Sequence, residues 1–282
     1  MLYKPFTLPT EPIGKETAFY SIGFLTIEVL NGVETAICAG SGTLAMAGDV
    51  YGVLTAAHVL DALPKAGPVG LVVEIEDPSK YQRQTFLIEN AECILIRGQS
   101  FNRLGPDLGF IRLPPDCIGW LKAQRSFYNL VKHRSDVLSN KEPSKSYIDT
   151  IIGMIHEMTE DVPSDKIGVR RQRFTAVFCG AKHVAMRYPA DYDLWYFEPS
   201  SEIDFTVPGN FEGTSGGAVW RFFVKPEDNG TVSVLDRRIV AVPFYQTLRD
   251  DGKKELTCQG PREIYGHLLD KIQQRWPDEV KL

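Results

Sequence analysis

The stretch Phe211-Glu212-Gly213-Thr214-Ser215-Gly216-Gly217-Ala218-Val219 sets a serine between small residues and then runs into an apolar, strand-like segment. Glycine takes backbone angles that a side chain forbids, and it lets a second chain approach closely. A tight turn here lifts the Ser215 hydroxyl into the open and aims the N–H groups of Gly213 and Ser215 at one point. A serine nucleophile with an oxyanion hole requires that arrangement. Glycine–serine clusters also occur in plain loops, so the stretch gains meaning only with partners elsewhere in the chain.

Two further stretches supply candidates. Leu54-Thr55-Ala56-Ala57-His58-Val59-Leu60 places a histidine after an apolar strand and a small-residue turn. Pro106-Asp107-Leu108-Gly109-Phe110-Ile111-Arg112-Leu113 places an aspartate at the head of another strand. A serine hydroxyl is a weak nucleophile without a base, and histidine is the side-chain type that titrates near neutrality. The plain alternatives are a histidine satisfied near a strand end and an aspartate that caps a strand. His133, His156, His183 and His267 lack a comparable turn and read as surface or structural. Asp49, Asp61 and Asp116 compete weakly with Asp107, because none precedes a strand like Leu108–Leu113.

The order His58, Asp107, Ser215 and the pieces TAAHVL, DLGFIRL and GTSGGAV resemble the chymotrypsin-like serine peptidases, whose triad runs in that order. Gly40-Ser41-Gly42-Thr43-Leu44 is similar to the strand that precedes the histidine in HtrA-like and other bacterial members. The resemblance implies an all-β chain of two six-stranded antiparallel β-barrels with a C-terminal helix and the site between the barrels. It implies a serine endopeptidase acting on a protein or peptide substrate through an acyl-enzyme, with no metal and no organic cofactor. Ser215 would attack, His58 would shuttle the proton, Asp107 would hold the Nδ1 proton of His58, and the N–H groups of Gly213 and Ser215 would hold the oxyanion.

By position, the floor of the primary pocket is expected near Pro208 and Gly209 and its wall on Val242, Pro243, Phe244 and Tyr245. No aspartate stands at that floor and the wall is bulky, so small or apolar side chains are expected there and basic ones disfavoured. The chain departs from the digestive members at Thr214, where they carry an aspartate that pairs with a freshly cut N-terminus. An IVGG-like start is also missing. Activation by that cleavage is therefore not expected; the serine loop either stands formed or is switched by a partner or ligand. No PDZ-like module follows. A catalytically silent scaffold of the same fold is the competing reading.

The 282 residues are 43% hydrophobic and 24% charged, an ordinary globular balance with enough apolar residues for a large core. A net charge of −5 offers no basic field for nucleic acid or an anionic membrane. No basic-then-apolar leader opens the sequence, and no run approaches the roughly 20 apolar residues of a spanning helix. The cysteines are Cys38, Cys93, Cys117, Cys179 and Cys258, an odd number without zinc-like spacing. They read as reduced thiols in a cytoplasmic protein.

Along the chain, residues 1–17 read as an arm, 18–115 as the first barrel, 116–145 as a connection with a short helix, and 146–282 as the second barrel with the terminal helix. Asn31-Gly32 gives a hairpin signal between Phe19–Leu30 and Thr35–Leu44. Tyr51–Thr55, Val69–Ile75, Thr85–Ile88, Glu92–Arg97 and Leu108–Leu113 complete the first barrel. In the second, Tyr147–His156 is a strand and Glu157–Lys166 an acidic loop. Gln172–Cys179 and His183–Arg187 read as a strand pair around Gly180, and Tyr192–Phe197 as a strand. Ala218–Val224 and Ile239–Tyr245 are strands joined around Asp228-Asn229-Gly230. Ile264, Leu268, Ile272 and Trp276 recur every fourth residue, the stripe of a docked helix.

Overall fold

Asn31 and Gly32 both hold positive φ, 53° and 77°, which is the backbone a two-residue hairpin turn asks for. They join β1 (Ser21–Leu30) to β2 (Val33–Ala47) and so start the first sheet. In the computed structural model, residues 10–73, 83–98, 104–163, 168–189, 192–200, 207–228 and 231–282 are described. The start of the expected arm, the end of the Val69–Ile75 strand, the end of the expected acidic loop and the turn at Asn229-Gly230 lie outside them.

The first sheet continues with β3 (Val50–Thr55), β4 (Pro68–Val73), β5 (Arg83–Leu87), β6 (Glu92–Arg97) and β7 (Asp107–Arg112). These strands pair in the order β5-β4-β1-β2-β3-β7-β6, antiparallel throughout, and the sheet curls into a half-barrel. β5 and β6 are separated by one 3₁₀ turn, Ile88–Asn90. Ile22, Phe24, Leu44, Val53, Leu71, Phe86 and Ile111 fill its hollow.

The two-residue β8 (Tyr128–Asn129) runs parallel to Ala45 and Met46 of β2, and the second sheet closes into a ring. β9 (Tyr147–Val162), β10 (Val169–Arg187), β11 (Leu194–Ser200), β12 (Ala218–Pro226), β13 (Val232–Leu248) and β14 (Lys254–Gln259) pair as β9-β10-β11-β14-β13-β12, and β12 returns to β9. Among the described residues this closure leaves the ring without a free sheet edge. Ile151, Val177, Phe197, Val219, Ala241 and Leu256 pack inside. The chain is thus mostly β, a curled half-barrel and a closed barrel, consistent with the chymotrypsin-like double barrel. A π-helical turn, Arg262–Leu268, leads into the terminal helix Leu269–Arg275, and Ile264, Leu268, Ile272 and Trp276 are buried as their spacing predicts.

Five features differ from the sequence reading. The acidic stretch after His156 is strand: β9 runs to Val162 because its acids face a basic partner on β10. Arg170 makes a fork with Asp161 at 2.8 and 2.7 Å, and Arg173 lies 3.6 Å from Glu160. Gly180 does not turn the chain; β10 passes straight through it, paired with Thr150 on one side and Ser200 on the other. Lys254–Gln259 is an unforeseen strand that bridges β11 and β13. The connection holds two helices, Pro115–Lys122 and Leu130–Leu138, with Pro115 at the first helical position where its missing N–H costs nothing. Thr10–Ala18 is a further helix.

The two barrels share one core. Leu54, Leu108 and Phe110 from the first sheet belong to the same buried cluster as Ile152, Ala218, Trp220, Ile264 and Leu268 from the second part of the chain. That shared packing faces the end of β3 toward the loop before β12. Among the described residues no helix is long and apolar enough to cross a membrane.

Candidate active site

β3 ends at Thr55, Ala56 stays extended at φ −79° and ψ 147°, and a single helical turn, Ala57–Asp61, begins. Small residues are required there, because the turn presses on β7: a side chain at Gly109 would meet Leu60 Cδ1 at 2.8 Å and Ala57 Cα at 3.4 Å. The turn presents His58, whose side chain is 30% exposed. Asp107, the first residue of β7, is buried and takes both donors of that histidine. Its Oδ1 accepts the His58 backbone N–H at 2.9 Å, and its Oδ2 sits 2.6 Å from Nδ1. With the proton on Nδ1, the lone pair of the neutral ring is on Nε2, the atom a general base uses.

Ser215 lies in the irregular segment 207–217 between β11 and β12. The segment folds on itself: Thr214 N–H donates to Phe211 O at 3.0 Å, its hydroxyl donates to the same oxygen at 2.6 Å, and Gly217 N–H donates to Thr214 O at 2.9 Å. Gly213 and Gly216 hold φ of 95° and 85°, a region in which side chains are rare. At Gly216 a Cβ would also collide with Thr55 Oγ1 and Ser41 O, so the serine turn is seated directly on the first sheet. Ser41 N–H donates to Ser215 O at 2.8 Å and Gly216 N–H to Pro243 O at 2.8 Å.

His58 and Ser215 line one cavity of about 340 Å³, together with Asn210, Phe211, Glu212, Thr214, Pro243, Phe244, Tyr245, Gln246 and Leu256. Of the expected pocket residues, Pro243, Phe244 and Tyr245 are on this lining, while Pro208, Gly209 and Val242 are not. Gly209 is turned to Glu157, whose carboxylate accepts the Gly209 N–H at 3.2 Å, and Lys254 Nζ donates to Pro208 O at 3.0 Å. The lining adds Asn210, Phe211, Gln246 and Leu256. Leu256 escaped notice because β14 gave no strand signal, and Gln246 because its role is a contact, accepting the Phe211 N–H at 2.8 Å.

Sequence reasoning also passed over His156 and Glu157, which lie on the part of β9 next to this loop. His156 N–H donates to Glu212 O at 3.0 Å, and its ring Nε2 sits 2.8 Å from Cys38 O on β2. Among the described residues no cluster of metal-binding side chains occurs. No cysteine lines this cavity. Burial pushes the Cys38 thiol up to about 11 and those of Cys117 and Cys179 up to about 12, so none is a thiolate near neutrality.

No family model and no curated protein matches the sequence. Among solved structures the chain is similar to the HtrA-type protease AlgW with decapeptide, at 11% identity and a TM-score of 0.45, over 92% of this chain and 66% of that one.

Proposed function

We propose that this chain is a serine endopeptidase. Ser215 attacks the scissile carbonyl, His58 takes its proton and passes it to the leaving amine, and Asp107 holds the imidazole in the working tautomer. An acyl-enzyme forms on Ser215 and water releases it, with His58 again as the base. The N–H groups of Gly213 and Ser215 stabilise the oxyanion. The observation that carries this reading is the His58 Nδ1–Asp107 bond of 2.6 Å on a ring that shares one cavity with Ser215.

The apolar lining, Phe211, Pro243, Phe244, Tyr245 and Leu256, favours apolar side chains at the cleavage site. Its acidic member, Glu212, is at the rim with a side chain 67% exposed. The five free thiols favour a reducing, cytoplasmic setting. Thr214 carries no charge to receive a cut N-terminus, so control falls to a partner or ligand acting on access to the cleft rather than to cleavage of a precursor.

A fluorophosphonate probe tests the reading directly. The wild-type chain is expected to be labelled at Ser215, and Ser215→Ala to take up no label while unfolding at the same temperature. Equal labelling of the two proteins, or none of either with and without candidate partners added, removes the peptidase assignment.

A further inference from the structure

The serine loop has no secondary structure of its own, yet its backbone is gripped from outside at several points. Ser41 on β2 is fully buried and spans two elements: its hydroxyl donates to Gly213 O at 2.7 Å and accepts the Met154 N–H at 2.7 Å. Two residues on, His156 N–H donates to Glu212 O at 3.0 Å. Glu157 follows, its carboxylate accepting the N–H groups of Gly209 at 3.2 Å and Asn210 at 2.6 Å. Met154, His156 and Glu157 are neighbours on β9, so this short strand stretch reaches the loop at both its entrance and its turn.

The grip fixes a peptide orientation that matters for catalysis. In a trans peptide the C=O and the following N–H point in opposite directions. With Glu212 O bound to β9, the N–H of Gly213 is turned away from β9. The carbonyl of Gly213, held by Ser41, faces the opposite way from the next N–H, and Thr214 N–H is spent on Phe211 O. Among the described residues, neither Gly213 N–H nor Ser215 N–H donates to a protein acceptor. The φ of 95° at Gly213 completes a turn in which both donors are left for a bound oxygen. A peptide flip at Glu212–Gly213 would break the His156 bond and bring a carbonyl where a donor is needed.

The imidazole of His156 ties this to the histidine side of the cleft. Its Nε2 donates to Cys38 O on β2, three residues before Ser41, and its Nδ1 lies 3.6 Å from the Glu212 carboxylate. The same strand, β2, pairs with β3, which delivers His58.

We infer that Ser41, His156 and Glu157 are positioning residues that hold the Glu212–Gly213 peptide with its N–H toward the oxyanion. The hole then stands formed without a freed N-terminus and without a docked partner. This rests on the reading of Ser215 as the nucleophile. A partner that regulates the protein would act on the substrate groove and not on the hole.

The test uses the full chain, purified alone, with the fluorophosphonate probe and a fluorogenic peptide taken from a library screen. The variants are Glu157→Gln and Ser41→Ala; the His156 contact is made by its main chain, which no side-chain change removes. Glu157 is exposed, so its variant keeps the fold even if the buried Ser41→Ala does not. The wild type is expected to label without any additive. In each folded variant the labelling rate and kcat fall roughly tenfold to hundredfold, since a misplacement of about 1 Å costs on the order of 100-fold. KM is expected to stay within about threefold, the mark of an interaction made only in the transition state. Hydrogen exchange across 207–216 should quicken in Glu157→Gln while the barrel strands keep their protection.

Variants that retain the wild-type kcat overturn the inference and leave Ser215 as nucleophile. Labelling of the wild type only after a peptide or partner is added does the same. A wild type that never labels removes the nucleophile, and the positioning role with it.

Discussion

The histidine side and the serine side of the cleft are built by opposite means. His58 and Asp107 stand on regular elements, a one-turn helix and the head of a strand, and their neighbours Ala56, Ala57, Leu108 and Phe110 are buried almost completely. Packing fixes them, and the Asp107 carboxylate needs only the two donors of a single residue. Ser215 stands on a segment without regular structure, fixed by bonds to β2, β9 and β13. Packing spreads its contribution over many weak contacts, so one lost contact costs stability and shifts geometry little. Discrete bonds to a loop do the reverse: one lost bond shifts the segment that carries Ser215 with little effect on stability.

The largest effect expected on the histidine side is electronic. Asp107→Asn keeps the shape of the carboxylate but allows the wrong tautomer of His58. A fall in kcat of about 10,000-fold is expected, by analogy with the same change in other triads. The unfolding temperature measured beside it should hardly move. A variant with kcat near that of the wild type would place the base elsewhere.

The next pair sets packing against loop geometry. Gly213→Ala puts a side chain at φ 95° with its Cβ 2.8 Å from His156 Cδ2 and 3.0 Å from Met154 O. A loss of about 100-fold in kcat is expected, the lower end of what one missing oxyanion donor costs. Leu60→Ala on the other side removes a buried side chain from above Gly109 and should lower stability by about 2–4 kcal/mol. Its kcat, measured well below the unfolding temperature, should remain within about threefold, since no reacting group depends on it directly. If the two outcomes were exchanged, with Gly213→Ala costing only stability and Leu60→Ala only turnover, the contrast between the two sides would be wrong.

The same contrast governs what the sequence could disclose. The histidine side was legible because its determinants are local. An apolar strand, two alanines and a histidine stand in consecutive positions, and Asp107 directly precedes its own strand. The hairpin at Asn31-Gly32 and the stripe of the terminal helix are local in the same sense. The serine turn was legible through its glycines, but its supports were not. His156 and Glu157 act through a backbone N–H and a carboxylate that meet residues more than fifty positions later, and nothing in their own neighbourhood marks this. Glu157 even read as loop, since a run of acids is a poor strand until Arg170 and Arg173 face it. β14 was hidden likewise, because its pairing with β11 and β13 is visible only once the ring closes.

The smallest effect concerns the other carboxylate of the cleft. Asp107 is 5% exposed at its side chain and Glu212 is 67% exposed, so water screens the second and hardly the first. Glu212 lies on the cavity rim and repels acidic residues of an incoming peptide through solvent. Glu212→Gln should therefore raise kcat/KM for substrates with an acid beside the cleavage site by about twofold to fivefold, the scale of an exposed charge pair. Neutral substrates should be cleaved as before. The gain should fade at about 1 M salt, where the screening length shrinks to about 3 Å. An effect a hundred times larger, or one that salt leaves untouched, would put Glu212 against the reacting atoms. The charge on the serine side would then be buried during turnover, as it already is at Asp107.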